Sequence, residues 1–245
     1  MDCYKDFAHI YDELIKGDID YKKWADTILI FCDEYKVQRK DYLDLACGTG
    51  NITENIAKSF LNTWAVDLSY DMLTEAEGKL RDSGIKGKFI CQDISSLNLN
   101  RKFDLITCCL DSTNYIVEKE KLHEYFKGVY NHLKDGGIFV FDINSYYKIT
   151  QILGNNIYNY DSEDVYYIWE NNLEEDIVDM YLTFFIKQGK VYKRFDEFHR
   201  ERAYTNKEIQ ESAIACGFQI AKLLDNYESK ALREDTERIA YVLKK

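Results

Sequence analysis

The residues best suited to chemistry stand together between positions 43 and 93. The run Leu43-Asp-Leu-Ala-Cys-Gly-Thr-Gly-Asn51 ends an apolar strand in a glycine turn and opens a helix at once. Glycines there let the backbone pass close to a ligand, and the helix N-terminus offers unpaired N–H groups. Asp67 ends the next strand, at an offset from which a carboxylate accepts hydrogen bonds from both hydroxyls of a ribose. Asp93 ends the third strand, a place from which a carboxylate meets an adenine amino group. Three such features at the carboxyl ends of adjacent parallel strands predict a nucleoside-containing cofactor. A dinucleotide fingerprint counted from Gly48 would need its third glycine at Thr53, and no Walker lysine follows the turn. The expected ligand therefore has a ribose and a base but no pyrophosphate.

The elements that must hold these groups alternate in the same way. Strands are expected at 41–46, 63–68, 88–92, 103–110 and 138–143. Helices are expected at 51–59, from a Ser69/Asp71 cap to Asp82, and at 118–133, with a turn at Asp135-Gly136-Gly137. Strands with few interior polar groups, separated by helices, argue a parallel sheet covered on both faces. Apolar residues at three-to-four spacing predict helices in the first 36 residues, broken at Gly17-Asp18. After Asn144 the pattern changes. Segments 156–170, 176–187 and 190–204 read as antiparallel strands, with turns at Asn171-Asn172 and Gln188-Gly189. A helix at 206–216 and strands at 218–224 and 238–243 complete the chain. The expected division is an N-terminal helical cap (1–36), a cofactor domain (37–145 and 205–245) and a β-rich insertion on the acceptor side (146–204).

Composition narrows the classes. The 245 residues are 46% apolar and 31% charged, enough for a sizeable core and unlike a disordered chain. No run of 18 apolar residues occurs, so no membrane-spanning helix is expected, and the N-terminus lacks a secretion signature. Seven cysteines without a CxxC pair suggest reduced thiols, a cytoplasmic location and no metal. Proline is absent, so turns rely on Gly, Asn and Asp. The net charge of −11 argues against a nucleic-acid partner and leaves a small-molecule acceptor, with a monomer or weak homodimer as the expected state.

The runs DLACGTGN, VDLSYDML, QDISSL, FDLITCCLDSTNY and LKDGGIFVFDIN together resemble class I S-adenosylmethionine-dependent methyltransferases over about residues 40–145. The patterns at Tyr11–Leu14 and Tyr21–Trp24 resemble a bacterial small-molecule branch of that family, and Ala46 stands where the usual GxGxG has its first glycine. The resemblance implies an α/β, Rossmann-like, seven-stranded and mostly parallel sheet with helices on both faces, N-terminal helices and an antiparallel insertion. It implies S-adenosyl-L-methionine as cofactor and S-adenosyl-L-homocysteine as product. It places Asp44, Ala46, Gly48 and Gly50 beside the methionine part and Asp67 on the ribose. Leu68 and Met72 would pack on the adenine, Asp93 and Ile94 would read its edge, and Leu110 would lie beneath the sulfonium. Tyr11, Tyr21 and Trp24 would close over the cofactor, unless Tyr11 and Trp24 simply pack the N-terminal helices.

Methyl transfer from a sulfonium is an in-line displacement in which the protein supplies alignment, exclusion of water and sometimes a base. Asp111, Asn114 and Tyr115 follow strand four, where an acceptor would lie, and are candidates for acceptor contacts, Asp111 and Tyr115 also for catalysis. The alternative for Asp111 is a loop-shaping role. This stretch lacks the proline pair of amino-methylating nucleic-acid enzymes. Residues 149–186 hold no Lys, Arg or His, but carry eight acids, several tyrosines and Trp169. As a roof over the site they would favour an amine acceptor; otherwise they are a solvated acidic face. Strand alternation puts Phe195, Glu197 and His199 on one face, opposite Arg194, Asp196, Phe198, Arg200 and Arg202. His199 is the candidate base and a candidate acceptor contact, or else a structural histidine between strands. Cys108 and Cys109 read as buried small hydrophobes. The expected activity is methyl transfer to a small molecule, with amines among the acceptors. RNA or protein methylation, or cofactor binding without turnover, are the alternatives.

Overall fold

In the computed structural model, which describes Asp12 and residues 19–245, Asp20 caps a helix. Its side chain accepts the Lys23 N–H at 2.9 Å, and α1 (Tyr21–Glu34) then buries Trp24, Ala25, Ile28, Phe31 and Cys32 along one stripe. The five residues of β1 (Asp41–Leu45) are all buried, as a central parallel strand requires. α2 (Asn51–Ala57), β2 (Asn62–Asp67), α3 (Tyr70–Asp82), β3 (Gly87–Cys91), β4 (Phe103–Cys108), α4 (Lys119–His132) and β5 (Leu133–Asn144) continue the alternation. After the insertion come α5 (Asn206–Ala215), β10 (Gln219–Asp225) and β11 (Arg238–Lys244).

The sheet has seven strands in the order β10-β11-β5-β4-β1-β2-β3. The pairings among β1 to β5 are parallel, while β11 runs antiparallel between β5 and β10. Two apolar layers cover it. On one face Tyr125, Phe126 and Val129 of α4 and Ile209 and Ala213 of α5 pack on Phe139, Phe141 and Tyr241. On the other, α1 and α2 bring Ile28, Phe31, Ile52 and Ile56 against Tyr42, Val140 and Val242. The strand order reverses direction between β1 and β4, so a crevice opens beyond their carboxyl ends.

The insertion is a separate four-stranded antiparallel sheet, β6 (Ile157–Asp161), β7 (Val165–Glu174), β8 (Ile177–Gln188) and β9 (Val191–Arg202), in sequential order. Phe184 and Phe195 pack on Met72 of α3, and Val178, Met180 and Ala203 pack on Ile149 and Leu153 of a short π-helical segment, Lys148–Leu153.

The sequence reading and the structure differ at three turns. Asn171 and Asn172 do not form a turn; they pair with Met180 and Asp179, and the chain reverses at Glu175-Asp176, with Glu175 at φ +53°. The expected strand 156–170 is divided at Ser162, whose hydroxyl bonds the Val165 backbone. The turn at Asp135-Gly136-Gly137 lies inside β5, where the register shifts and Gly136 takes φ +79°. At Asn171-Asn172 turn-favouring residues are held by pairing partners distant in sequence, whereas at Ser162 a local side-chain bond makes a turn where a strand was expected.

Candidate active site

β1 ends in a turn with left-handed backbone at Ala46 (φ +49°), Gly48 (φ +54°) and Gly50 (φ +81°). The two glycines serve different ends. A Cβ on Gly50 would lie 3.0 Å from the Ala76 Cβ, so this glycine lets α2 pass close to α3. A Cβ on Gly48 would meet nothing within 4 Å, so the space above the turn is open to a ligand. Asp44 lies beneath the turn, fully buried, accepting the Thr53 and Thr107 hydroxyls at 2.5 and 2.6 Å. Burial pushes its carboxyl up to about 6, against the pull of those hydroxyls.

Asp67 is fixed before any ligand arrives. Gly48 N–H donates to its Oδ2 at 2.8 Å and Ser69 N–H to its Oδ1 at 2.9 Å. The carboxylate thus stitches β2 to the glycine turn and keeps lone pairs on both oxygens. Burial raises its pKa, and the backbone donors oppose that rise. Asp93 is exposed and caps a short 3₁₀ turn, accepting the Ser95 N–H and hydroxyl at 2.8 Å each, and Ile94 rests half-buried on the core. Leu68 is 65% exposed beside Asp67, whereas Met72 is held by Phe184 and Phe195. The insertion therefore reaches the crevice at Met72.

A polar seam ties the N-terminal segment to the turn. Asp12 accepts from Thr49 Oγ1 at 2.6 Å, Asn51 Nδ2 at 2.8 Å and Lys79 Nζ at 2.7 Å. Lys79 and these hydrogen bonds together hold its carboxyl below the usual range although burial opposes them. The Tyr21 hydroxyl is buried nearby, close to the Asn51 amide, with no completed hydrogen bond among the described residues. Such an orphaned donor is costly unless a ligand takes it. Trp24 stacks on Tyr227 at 4.4 Å between centroids, with the Arg238 guanidinium over its ring, so it braces those two side chains. Tyr11 lies outside the described residues.

Beyond β4 two successive residues, Leu110 and Asp111, adopt left-handed backbone (φ +61° and +50°). Their N–H groups donate to the two oxygens of Asp142 on β5, at 2.9 and 2.8 Å. Asp142 also accepts the Tyr227 hydroxyl at 2.8 Å and an Arg238 guanidinium N–H. Arg238 pairs in turn with Asp111 at 2.6 Å. Four donors on one fully buried carboxylate hold a strained turn that the sequence alone disfavours.

β9 lies over this turn. Its buried residues alternate as Phe195, Glu197, His199 and Glu201. His199 Nδ1 and the Tyr115 hydroxyl pair at 3.2 Å, with their rings edge to face. Burial pulls the His199 pKa down to about 4, so its ring is neutral at pH 7. Glu201 accepts the Asn144 amide at 3.1 Å, and burial, aided by Asp111, pushes its carboxyl up to about 8. Asn114 is consumed by backbone. Its amide donates to the Asn144 and Arg202 carbonyls and its oxygen accepts the Asn144 N–H. It holds the loop, β5 and β9 together and has little left to offer an acceptor.

Asp111, Tyr115 and His199 thus lie close together. Asp142, Arg238, Tyr227, Glu201 and Lys148 pack around them without having been singled out in the sequence. Glu201 was within reach of the β9 alternation, one step beyond His199. Arg238 and Tyr227 had no local signal, because they arrive from the last strand and the loop before it. Burial raises the Cys108 and Cys109 thiols, Cys108 to about 12, which leaves them inert. A cavity of about 450 Å³ lined by Asn98, Arg101, Lys102 and His132 lies at the other end of β4, away from these groups.

A seven-stranded sheet in this order, with a glycine turn after β1 and an acid after β2, defines a nucleoside-cofactor α/β enzyme. Residues 43–137 match the family model described as "Methyltransferase domain". The chain is 32% identical to YqeM of Bacillus subtilis (strain 168), designated a putative methyltransferase, over 99% of this chain and 97% of that protein. The crystal structure of an S-adenosylmethionine-dependent methyltransferase from Clostridium acetobutylicum ATCC 824 superposes with a TM-score of 0.94 at 57% identity, covering 98% of each chain. A dTDP-3-amino-3,4,6-trideoxy-alpha-D-glucopyranose N,N-dimethyltransferase from Streptomyces venezuelae is 32% identical over 55% of this chain and 56% of that protein. The chain belongs to the S-adenosylmethionine-dependent methyltransferases, a family whose methyl donor is S-adenosylmethionine. Among the described residues no helix is long and apolar enough to cross a membrane.

Proposed function

We propose that this chain transfers a methyl group from S-adenosylmethionine to the nitrogen of a small-molecule amine. The observation that carries the reading is the placement of β9, which sets neutral His199, paired with Tyr115, over the Leu110–Asp111 turn. The open space at Gly48 and the orphaned Tyr21 hydroxyl suit the cofactor's amino-acid tail. In this reading Asp44, Ala46, Gly48 and Gly50 shape that wall, Asp67 takes the ribose hydroxyls, and Leu68, Asp93 and Ile94 border the adenine. Met72 contributes through the roof it anchors, and Trp24 through Arg238. The bound cofactor supplies an electrophilic methyl on sulfur. The protein's part is to align the amine and exclude water. His199, neutral at pH 7, accepts a hydrogen bond from the amine N–H and so orients its lone pair, Tyr115 fixes the imidazole ring, and the proton of the methylated ammonium leaves to solvent. The Asp111 carboxylate favours a cationic or amine acceptor. The Streptomyces venezuelae relative carries N,N-dimethyltransferase in its name, which supports nitrogen as the accepting atom. The insertion, residues 146–204, acts as the roof of the acceptor space.

The test is calorimetric titration with S-adenosylmethionine and S-adenosylhomocysteine, followed by turnover with panels of amines, phenols, thiols and carboxylic acids. Methylation confined to amines supports the proposal. A folded protein that binds neither cofactor form at millimolar concentration, or one that methylates only another panel, rejects it.

A further inference from the structure

Among the described residues, two buried polar atoms of the insertion stand together without a hydrogen-bond partner: Trp169 Nε1 and Asn171 Oδ1. Asn171 is 7% exposed. The two residues are two apart on β7, so they share one face of that strand. The register says which face it is. Trp169 pairs with Leu182 and Leu182 with Glu197, while Asn171 pairs with Met180 and Met180 with His199. Both unpartnered atoms therefore belong to side chains on the face that carries His199. Asn171 stands two strand spacings from His199, roughly 10 Å. Neighbours on this face complete neither group. Leu182 and Met180 are apolar. The Tyr158 hydroxyl, whose ring lies 5.6 Å from that of Trp169, is committed to the Ile152 carbonyl. The Asn171 amide nitrogen donates to the Leu153 carbonyl at 3.2 Å, which leaves its oxygen as the open end. Tyr158, Trp169 and Leu182 are only half-buried, so this stretch of the face is not sealed.

An indole N–H only donates, and an amide oxygen only accepts. Each, left bare in a buried position, costs free energy that a matching partner recovers. The partner that suits both accepts from one and donates to the other, as a hydroxyl does. A carboxylate would turn lone pairs on the Asn171 oxygen, and an ammonium would turn a second donor on the Trp169 N–H. We propose that Trp169 and Asn171 are specificity-determining residues that take a hydroxyl of the acceptor, whose nitrogen lies at His199 and Asp111. Leu182, between Trp169 and Glu197 in the cross-strand row, borders the carbon frame that joins the two polar ends. This inference rests on the amine reading above.

The experiment uses the full chain and primary amines of graded length that end in a hydroxyl, a methyl group or a carboxylate, read as S-adenosylhomocysteine formed. At one chain length the wild type is expected to prefer the hydroxyl member to the other two by about fivefold to a hundredfold in kcat/KM, mainly through KM. Trp169→Phe keeps an aromatic ring and deletes the N–H, and should bring that ratio close to one. Asn171→Leu removes the accepting oxygen and should do the same. Tyr166→Phe, on the opposite face of β7, should keep the preference. Cofactor titration of each variant shows that it is folded. Equal turnover of the hydroxyl and methyl members means that the pair holds only a trapped water. That result overturns the inference alone, as does a preferred carboxylate or a hydroxyl preference that survives in either folded variant. An amine panel that stays silent while cofactor binds overturns the amine reading and this inference with it.

Discussion

At the scale of single residues, Asp67 does two tasks that a substitution separates. Its carboxylate accepts Gly48 and Ser69 N–H groups, and the proposed ribose contacts use its remaining lone pairs. Asp67→Ala should weaken S-adenosylhomocysteine binding by about 1.5–3 kcal/mol, the worth of hydrogen bonds to a charged group. Asp67→Asn should be no milder, because one backbone N–H would then face an amide NH₂. Titration of both variants checks this, and an unchanged affinity removes the ribose role. Glu201 makes a prediction about pH. Its carboxyl is raised to about 8 in the folded chain by burial and by Asp111. Between its unfolded value and 8 the native state holds a proton that the unfolded state has released, so its contribution to stability is lost as pH rises. Glu201→Gln should match the wild type near pH 5 and gain on it by about 1–3 kcal/mol by pH 8. Urea unfolding at several pH values tests the sign; a constant difference would show that Glu201 titrates normally.

At the scale of elements, the left-handed pair Leu110–Asp111 depends on β5 and β11. Asp142 holds both N–H groups, and Arg238 bridges Asp142 to Asp111. Asp142→Asn should cost about 3–5 kcal/mol of stability, because it leaves a buried guanidinium short of its counter-charge. Replacing Arg238 by Met in the same background should recover part of that loss. If the double variant is no more stable than the single one, the turn and not the ion pair carries the cost. The elements also show what the sequence could and could not say. The β-α alternation was legible because short apolar runs alternate with amphipathic stretches, and the first two runs lead into Gly48 and Asp67 at the crevice. The glycine turn and its bond to Asp67 were legible for the same reason, since both are local signals. The surroundings of the Leu110–Asp111 turn were not. Asp142, Arg238 and Glu201 meet through β5–β11 pairing and the lay of β9, contacts nearly a hundred residues apart in the chain. Asn171-Asn172 misled for a related reason: turn-forming side chains were overruled by a ten-residue strand and by the bond from Asn171 to the Leu153 carbonyl.

At the scale of the whole molecule, the insertion and the seven-stranded sheet share the crevice, and their coupling is measurable. Met72 joins them through Phe184 and Phe195, and Asn114 joins them through the Asn144 and Arg202 carbonyls. Ligand bound between two such anchors stabilises both bodies together. The three tryptophans report separately: Trp24 and Trp64 belong to the seven-stranded body and Trp169 to β7 of the roof. Variants that keep one tryptophan at a time should show a single unfolding transition at the same denaturant concentration. S-adenosylhomocysteine at a hundred times its Kd should raise stability by about 2.7 kcal/mol by every probe. Phe184→Ala, which opens the Met72 anchor, should let the Trp169 transition fall to lower denaturant while Trp64 still responds to cofactor. If Trp169 in the unaltered roof already unfolds apart from Trp64 and ignores the cofactor, the insertion is an independent body, and its role over the acceptor space loses its physical basis.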